Sequence, residues 1–275
     1  MPTIDVKIVE IDKGFVVCLN EMNAMFRNSV TTGIVLKSYR IGEYHKGVTL
    51  LTDTMGIVNA IAHGAQKNRS RLRGATESFC LSTVYLYRDP VKNVYKITDM
   101  VIHRIFESLR KNLELYYTAT LWAEVIIKSY GGGDNDPELF SLYIGCLELL
   151  NHADSGRPIY ISVQFLWRFL RLCGFDPALG RCDHCGRLLA TEEPAALNSL
   201  STGFLCLDCD ENSRFVLDPG ARRFLERSTR ESLDQALRYR LSAASLDTLK
   251  STLYRLLQGL LETKLNSLEY AQGII

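Results

Sequence analysis

Gly33-Ile34-Val35-Leu36-Lys37-Ser38-Tyr39-Arg40 is the stretch on which the fold reading turns. It is a β-rich apolar run that closes in polar residues, and Gly42 and Gly47 then bracket a turn. Val48–Thr52 is a second run of the same kind, ended by Asp53-Thr54-Met55-Gly56, which is turn chemistry. Ile57–Ala62 is a third. Phe79–Tyr87 and Val94–Val101 are a fourth and a fifth, parted by Arg88-Asp89-Pro90. Short strands at this spacing, joined by turns, predict a small five-stranded barrel over 33–103, with the oligonucleotide-binding barrel (OB-fold) as the natural candidate.

Between the third and fourth strands lies the most basic stretch of the chain, from His63 to Gly74. Lys67, Arg69, Arg71 and Arg73 occupy every second position. In an extended chain alternate residues share one side at a spacing of roughly 6.6 Å, so the four cations are expected to line one edge. From Gly33 to Phe79 there are seven basic residues (Lys37, Arg40, Lys46, Lys67, Arg69, Arg71, Arg73) against three acids (Glu43, Asp53, Glu77). That local excess suits a loop that follows a phosphate backbone; the bland alternative is a solvated charged loop. Tyr85 and Tyr87 share a strand face, with Tyr39, Tyr44 and Tyr95 in the same domain. Such residues either stack on unpaired bases or build the barrel wall, and the wall reading comes first.

From Ile105 the period becomes helical. Ile105, Leu109, Leu113, Tyr116, Leu121 and Ile127 form a stripe to about Tyr130, stopped by Gly131-Gly132-Gly133. Asp136-Pro137-Glu138 opens the next helix, with Asp as cap and Pro at the first helical position. Arg157-Pro158 opens another, which runs to Cys173 and Gly174 and is apolar nearly all round, as a central buried helix should be. Its polar stripe is Gln164, Arg168 and Arg171. Asp218-Pro219 starts a short helix, and a long one is expected over Ser245–Leu265. The helical domain therefore comprises 104–180 and 215–275.

Within it sits 181–214, which carries Cys182-Asp183-His184-Cys185 and Cys206-Leu207-Asp208-Cys209. Two Cys-x-x-Cys turns brought together supply four thiolates at tetrahedral corners, the donor set of a closed structural Zn²⁺ site. One zinc ion per chain, in a ribbon-like insertion, is the expectation. Cys18, Cys80, Cys146 and Cys173 are scattered in apolar surroundings and read as reduced core residues. The architecture is thus α+β and multidomain: a barrel, then an all-α domain with an inserted four-Cys zinc ribbon.

The bulk numbers agree with that reading. The 275 residues are 47% apolar and 23% charged, with a net charge of +1, so any nucleic-acid contact must rest on a local patch. No apolar run approaches a spanning helix, and no secretory leader is evident; a cytoplasmic protein is expected. Residues 1–32 have only weak alternation at Ile4, Val6 and Ile8, and read as an N-terminal extension, at most a weak hairpin.

In order along the chain, Gly33–Glu43, Leu51–Gly56, Gly64–Lys67 and Ser70–Gly74 resemble the N-terminal barrel of the bacterial RecO recombination mediators. Asp136-Pro137-Glu138-Leu139-Phe140, and Leu172-Cys173-Gly174-Phe175 leading to the first Cys pair, resemble that family's helical domain and zinc insertion. The resemblance covers about 33–270. It implies a non-enzymatic, nucleoid-associated DNA-repair protein. Such a protein binds single- and double-stranded DNA, anneals complementary strands, acts with RecR, engages the acidic tail of single-strand-binding protein, and indirectly helps load RecA. It assigns DNA contact to Lys67, Arg69, Arg71 and Arg73, with Lys37, Arg40 and Lys46 alongside, and metal ligation to Cys182, Cys185, Cys206 and Cys209. Arg168 and Arg171 are candidates for the acidic tail.

Two other readings compete. A zinc hydrolase or deaminase needs an open coordination position and a general base. His63, His103 and His152 lack the Glu two residues on that a deaminase carries. A protein-interaction scaffold with no DNA contact is the other.

Overall fold

The computed structural model describes residues 27–130, 136–154, 156–198, 202–261 and 263–270. Five strands form a closed barrel in the order β1-β2-β3-β5-β4: β1 (Asn28–Ile41), β2 (His45–Thr52), β3 (Gly56–Ala62), β4 (Cys80–Asp89) and β5 (Val94–Ile105). All neighbours are antiparallel except β3 and β5, which close the barrel in parallel over Ala60–Ala62. The expected barrel is present. It begins earlier than the sequence suggested, because Asn28–Thr32 pairs with Thr83–Tyr87 and belongs to β1 rather than to an extension. Residues 1–26 of the proposed extension, with Cys18, lie outside the described residues.

The barrel wall is apolar on both sides over part of its circumference. Val35, Val48, Leu50, Val58, Ala60, Val84, Leu86 and Ile97 fill the interior. Ile34, Leu36, Leu51 and Ile57 point the other way and join the core of the helical domain. The segment between β3 and β4 closes one mouth of the barrel: Ala65 and Ala75 are wholly buried against the interior set, the second on a single-turn helix α1 (Leu72–Ala75). Phe79 returns the chain to β4 with φ of 63°, a left-handed conformation that costs a bulky residue about 1–2 kcal/mol. Its buried ring, edge-on to Tyr116, holds it there.

The helical domain starts with a break that the sequence stripe concealed. β5 runs through Ile105, and the helix expected over 105–130 is two: α2 (Glu107–Lys111) and α3 (Leu113–Tyr130). Asn112 is extended, and its Oδ1 accepts from the N–H groups of Glu114 and Leu115, so it caps α3 from within the apolar pattern. The cap at Asp136 of α4 (Pro137–Asn151) is as expected. So is the central helix α5 (Pro158–Leu172), whose Phe165 stacks on Trp122 of α3 at 4.7 Å. The glycines 131–133 lie outside the described residues.

The chain returns to helix at α6 (Pro219–Arg230), capped by Asp218, followed by α7 (Leu233–Ala236), α8 (Ala243–Leu261) and α9 (Asn266–Tyr270). The inserted segment is a three-stranded sheet in the order β7-β6-β8, from β6 (Ala195–Leu197), β7 (Phe204–Leu205) and β8 (Val216–Leu217). Its sheet packs into the helical domain, while the turn Asp183–Leu188 is exposed. Leu189, Ala195, Leu197, Phe204 and Leu217 are buried in the same core as α3, α5 and α8. Arg222 of α6, only 2% exposed, donates from Nη2 to the carbonyls of Ala190 and Thr191 and ties the insertion down.

Candidate nucleic-acid interface and metal centre

The basic segment does not run as an extended edge. Hydrogen bonds from Lys67 N to Gly64 O, Ser70 N to Lys67 O and Arg73 N to Ser70 O wind it into successive turns that enter α1. The four cations therefore do not form a straight row. The reason is burial: Ala65 and Ala75 are drawn into the barrel mouth, so the chain between them must coil.

What the structure gathers instead is the segment and the β1–β2 turn. Tyr44 of that turn and the first two residues of β2 hold it. Tyr44 O accepts from Gln66 N at 3.0 Å, and His45 Nδ1 accepts from Gly64 N at 3.0 Å. Lys46 Nζ donates to Arg73 O at 3.3 Å and to Glu77 Oε1 at 2.6 Å. Lys67 lies over the Tyr44 ring, 5.7 Å from its centroid. Lys37, Arg40, Lys67, Arg69, Arg71 and Arg73 are all exposed. Lys46 is different: it is 5% exposed and engaged internally. It is a positioning residue beneath the surface that the other six present, not a member of it.

Other cations at this end, Arg88, Lys92 and Lys96, were not singled out from the sequence as site residues. The β4–β5 turn brings Arg88 over Tyr95 and Lys96 over Tyr87, with Lys92 exposed between the strands. Lys96 also pairs with Asp89 at 2.8 Å, and that pairing, with the N–H groups of Lys92 and Val91, holds the Asp89 carboxyl at about 2. His63 rests edge-on against His45 at 4.8 Å. Burial first, then the charges of His45, Lys96 and Lys92, lower its pKa. The signal available in sequence was the flanking of a turn by Tyr-Arg and Tyr-Lys pairs, whose common location only the register supplies. Tyr85 and Tyr87 alternate with buried Val84 and Leu86, so they face outward and are not barrel lining.

The four cysteines come together as expected, their sulfurs all within 4.8 Å of one another and Cys185 Sγ 3.9 Å from Cys206 Sγ. A tetrahedron of thiolates about a zinc with ~2.3 Å bonds has edges of ~3.8 Å, so the donor set fits that ion. Each pair sits in a tight turn. Gly186 N donates to Cys182 O with Gly186 at φ 73°, and Cys209 N donates to Cys206 O. Burial opposes ionisation of Cys182, but the N–H groups of Cys185, Cys206 and His184 outweigh it and bring the thiol to about 6. Contact with Cys206 and the other sulfurs pushes Cys209 up to about 12. A divalent cation at the centre offsets that crowding. Arg187 braces the two turns, donating to both oxygens of Glu193 and to Asp208.

Arg168 and Arg171 do not form an open cationic stripe. Arg168 is half-buried, donating to Ser228 O and Glu231 O at the end of α6, while Gln164 beside it donates to Ser228 Oγ. Arg171 pairs with Asp176 at 2.8 Å. A shallow recess of about 100 Å³ beside them is lined by Trp167, Asp176, Pro177, Leu179, Glu226, Thr229 and Arg230. Two carboxylates against one guanidinium do not suit an acidic peptide.

Comparison with known sequences places both halves of the chain together. The family described as Recombination protein O N terminal matches residues 25–106, and Recombination protein O C terminal matches 110–269. This chain belongs to the RecO family. A DNA repair protein RecO of Acetivibrio thermocellus is 25% identical over 246 residues, 89% of this chain and 96% of that one. Those of Desulforudis audaxviator and Bacillus pumilus are 31% and 29% identical over 70% of this chain, and 72% and 73% of their own lengths. The RecO match begins at residue 25, in accord with a barrel that starts at Asn28 and not at Gly33. Among the described residues no helix is long and apolar enough to cross a membrane.

Proposed function

We propose that this chain is a non-enzymatic DNA-binding mediator of recombinational repair. The observation that supports this is the docking of the segment bearing exposed Lys67, Arg69, Arg71 and Arg73 onto Tyr44, His45 and Lys46 at one end of a closed barrel, with exposed Arg40 and Lys37 on β1. Six exposed cations there neutralise phosphates without reading base edges. Such a surface holds single or double strands of any sequence and leaves unpaired bases available for annealing. By its family the protein acts at the nucleoid with RecR, meets the acidic tail of single-strand-binding protein, and helps load RecA. The tail's seat lies elsewhere than at Arg168 and Arg171, which are engaged within the fold.

Zinc, held by Cys182, Cys185, Cys206 and Cys209, supplies a cross-link between two turns and no reaction; a four-thiolate shell leaves no position for a substrate. The test of the DNA reading is a binding titration with single-stranded DNA at several salt concentrations. If about six phosphates are contacted, log K falls against log salt with a slope of about −4. Affinity that ignores salt would overturn the interface.

A further inference from the structure

One rung of the barrel runs Tyr39, Gly47, Ile61, Lys96: Tyr39 pairs with Gly47, Gly47 with Ile61, and Ile61 with Lys96. Tyr39 lies across this rung. A Cβ placed on Gly47 would meet Tyr39 Cζ at 2.2 Å and Cε2 at 2.5 Å, so the ring fills the space that any side chain at 47 would need. One side of the phenol is thereby seated on the β2 backbone. The other is open, since Tyr39 is 51% exposed. Lys37, two residues back on the same strand face and about 7 Å away, is exposed, whereas Arg40, next in sequence, projects to the other face and donates from Nε to Gly42 O. Tyr44, also 51% exposed, carries Lys67 over its ring at the end of the same sheet. A half-exposed aromatic ring held in one place by a glycine, with a lysine beside it on the same face, is the composition of a stacking surface for unpaired bases.

We infer that Tyr39, seated on Gly47, stacks on an unpaired nucleobase whose neighbouring phosphate is held by Lys37. The inference rests on the DNA-binding reading above and adds a preference to it. Phosphate contacts serve single strands and duplexes alike, whereas the faces of paired bases are covered by their own neighbours. Tyr39 is thus the group by which the barrel tells the two apart.

The test compares a single-stranded oligonucleotide with a duplex of equal length, by fluorescence anisotropy at two or more salt concentrations. Tyr39→Ala is expected to weaken single-strand binding about tenfold, leaving the duplex affinity and the salt slope unchanged. Tyr39→Phe retains wild-type preference. Gly47→Ala, which displaces the ring, reproduces the single-strand defect. A 2-aminopurine placed in the oligonucleotide is quenched by the wild type and not by Tyr39→Ala. Tyr39→Leu separates stacking from simple cover of the glycine: full single-strand affinity in that variant overturns the inference. So does an equal loss on both DNAs, or no loss in Tyr39→Ala. If the wild type binds neither DNA, the underlying DNA reading falls as well, which is a distinct result.

Discussion

Lys46 Nζ lies 2.6 Å from Glu77 Oε1, and the same ammonium donates to Arg73 O. A lysine near the start of a barrel strand therefore holds the far end of the basic segment. Removing it should act on stability and loop order, not on the number of phosphates neutralised. Lys46→Ala is expected to cost about 2 kcal/mol of stability and to weaken DNA binding while the salt slope stays at its wild-type value. Chemical denaturation and salt-dependent anisotropy on one preparation check both halves.

The cations above it should behave oppositely. Lys67, Arg69, Arg71 and Arg73 changed together to Ala are expected to leave stability nearly intact, since all four side chains are exposed. The slope of log K against log salt should flatten by about 3, at ~0.7 for each phosphate that is no longer neutralised. An unchanged slope in a folded quadruple variant would rule the segment out as the phosphate track.

Loss of the metal centre should be felt in the helical core. Cys182, Cys206 and Phe204 are buried in the same apolar cluster as Trp122 and Phe165. Cys206→Ser is expected to release zinc and to lower Tm by roughly 10 °C, on the basis that a structural zinc contributes several kcal/mol to folding. Elemental analysis should give one zinc per wild-type chain. A variant that loses zinc at unchanged Tm would contradict the staple.

Acid should loosen the last described helix. Glu124 of α3 accepts from Asn266 N and Ser267 N at the start of α9 and pairs with Lys128 at 2.8 Å. Burial acts to raise its pKa, but Lys128, Ser267 and Asn266 outweigh it and the net shift is downward from the usual 4.5. A depressed carboxylate stabilises the fold above its ordinary range and ceases to do so as pH falls through the lowered value. Exchange of the Asn266 and Ser267 amides, followed from about pH 6 to about pH 3 and corrected for intrinsic rates, should rise toward acid. Glu124→Gln should show the faster exchange already at the upper end of that range.

Much of this architecture is readable in the sequence because its signals are local. Of five apolar runs, those ended by Asp-Thr-Met-Gly and Arg-Asp-Pro declare strands through their turn chemistry, and Cys-x-x-Cys declares a ligand turn by itself. What the sequence hides depends on partners far along the chain. Asn28–Thr32 is polar and half-exposed, so no alternation marks it; β4 makes it a strand. Asn112 interrupts an apolar stripe that reads as unbroken. Counting charges could not show that Lys46 turns inward, because its acceptors, Arg73 O and Glu77, come 27 and 31 residues later. Gln164, Arg168 and Arg171 have the spacing of an exposed stripe, and only the end of α6 lying against Gln164 and Arg168 and the pairing of Arg171 with Asp176 engage them within the fold.

Ile34, Leu36, Leu51 and Ile57 belong to the wall of the barrel and to the core of the helices at once. A cut between the two regions would strip that wall and leave a sheet face suited to aggregation. The three segments distinguishable by composition are therefore one cooperative unit, and heating should melt barrel, helices and zinc insertion in a single transition.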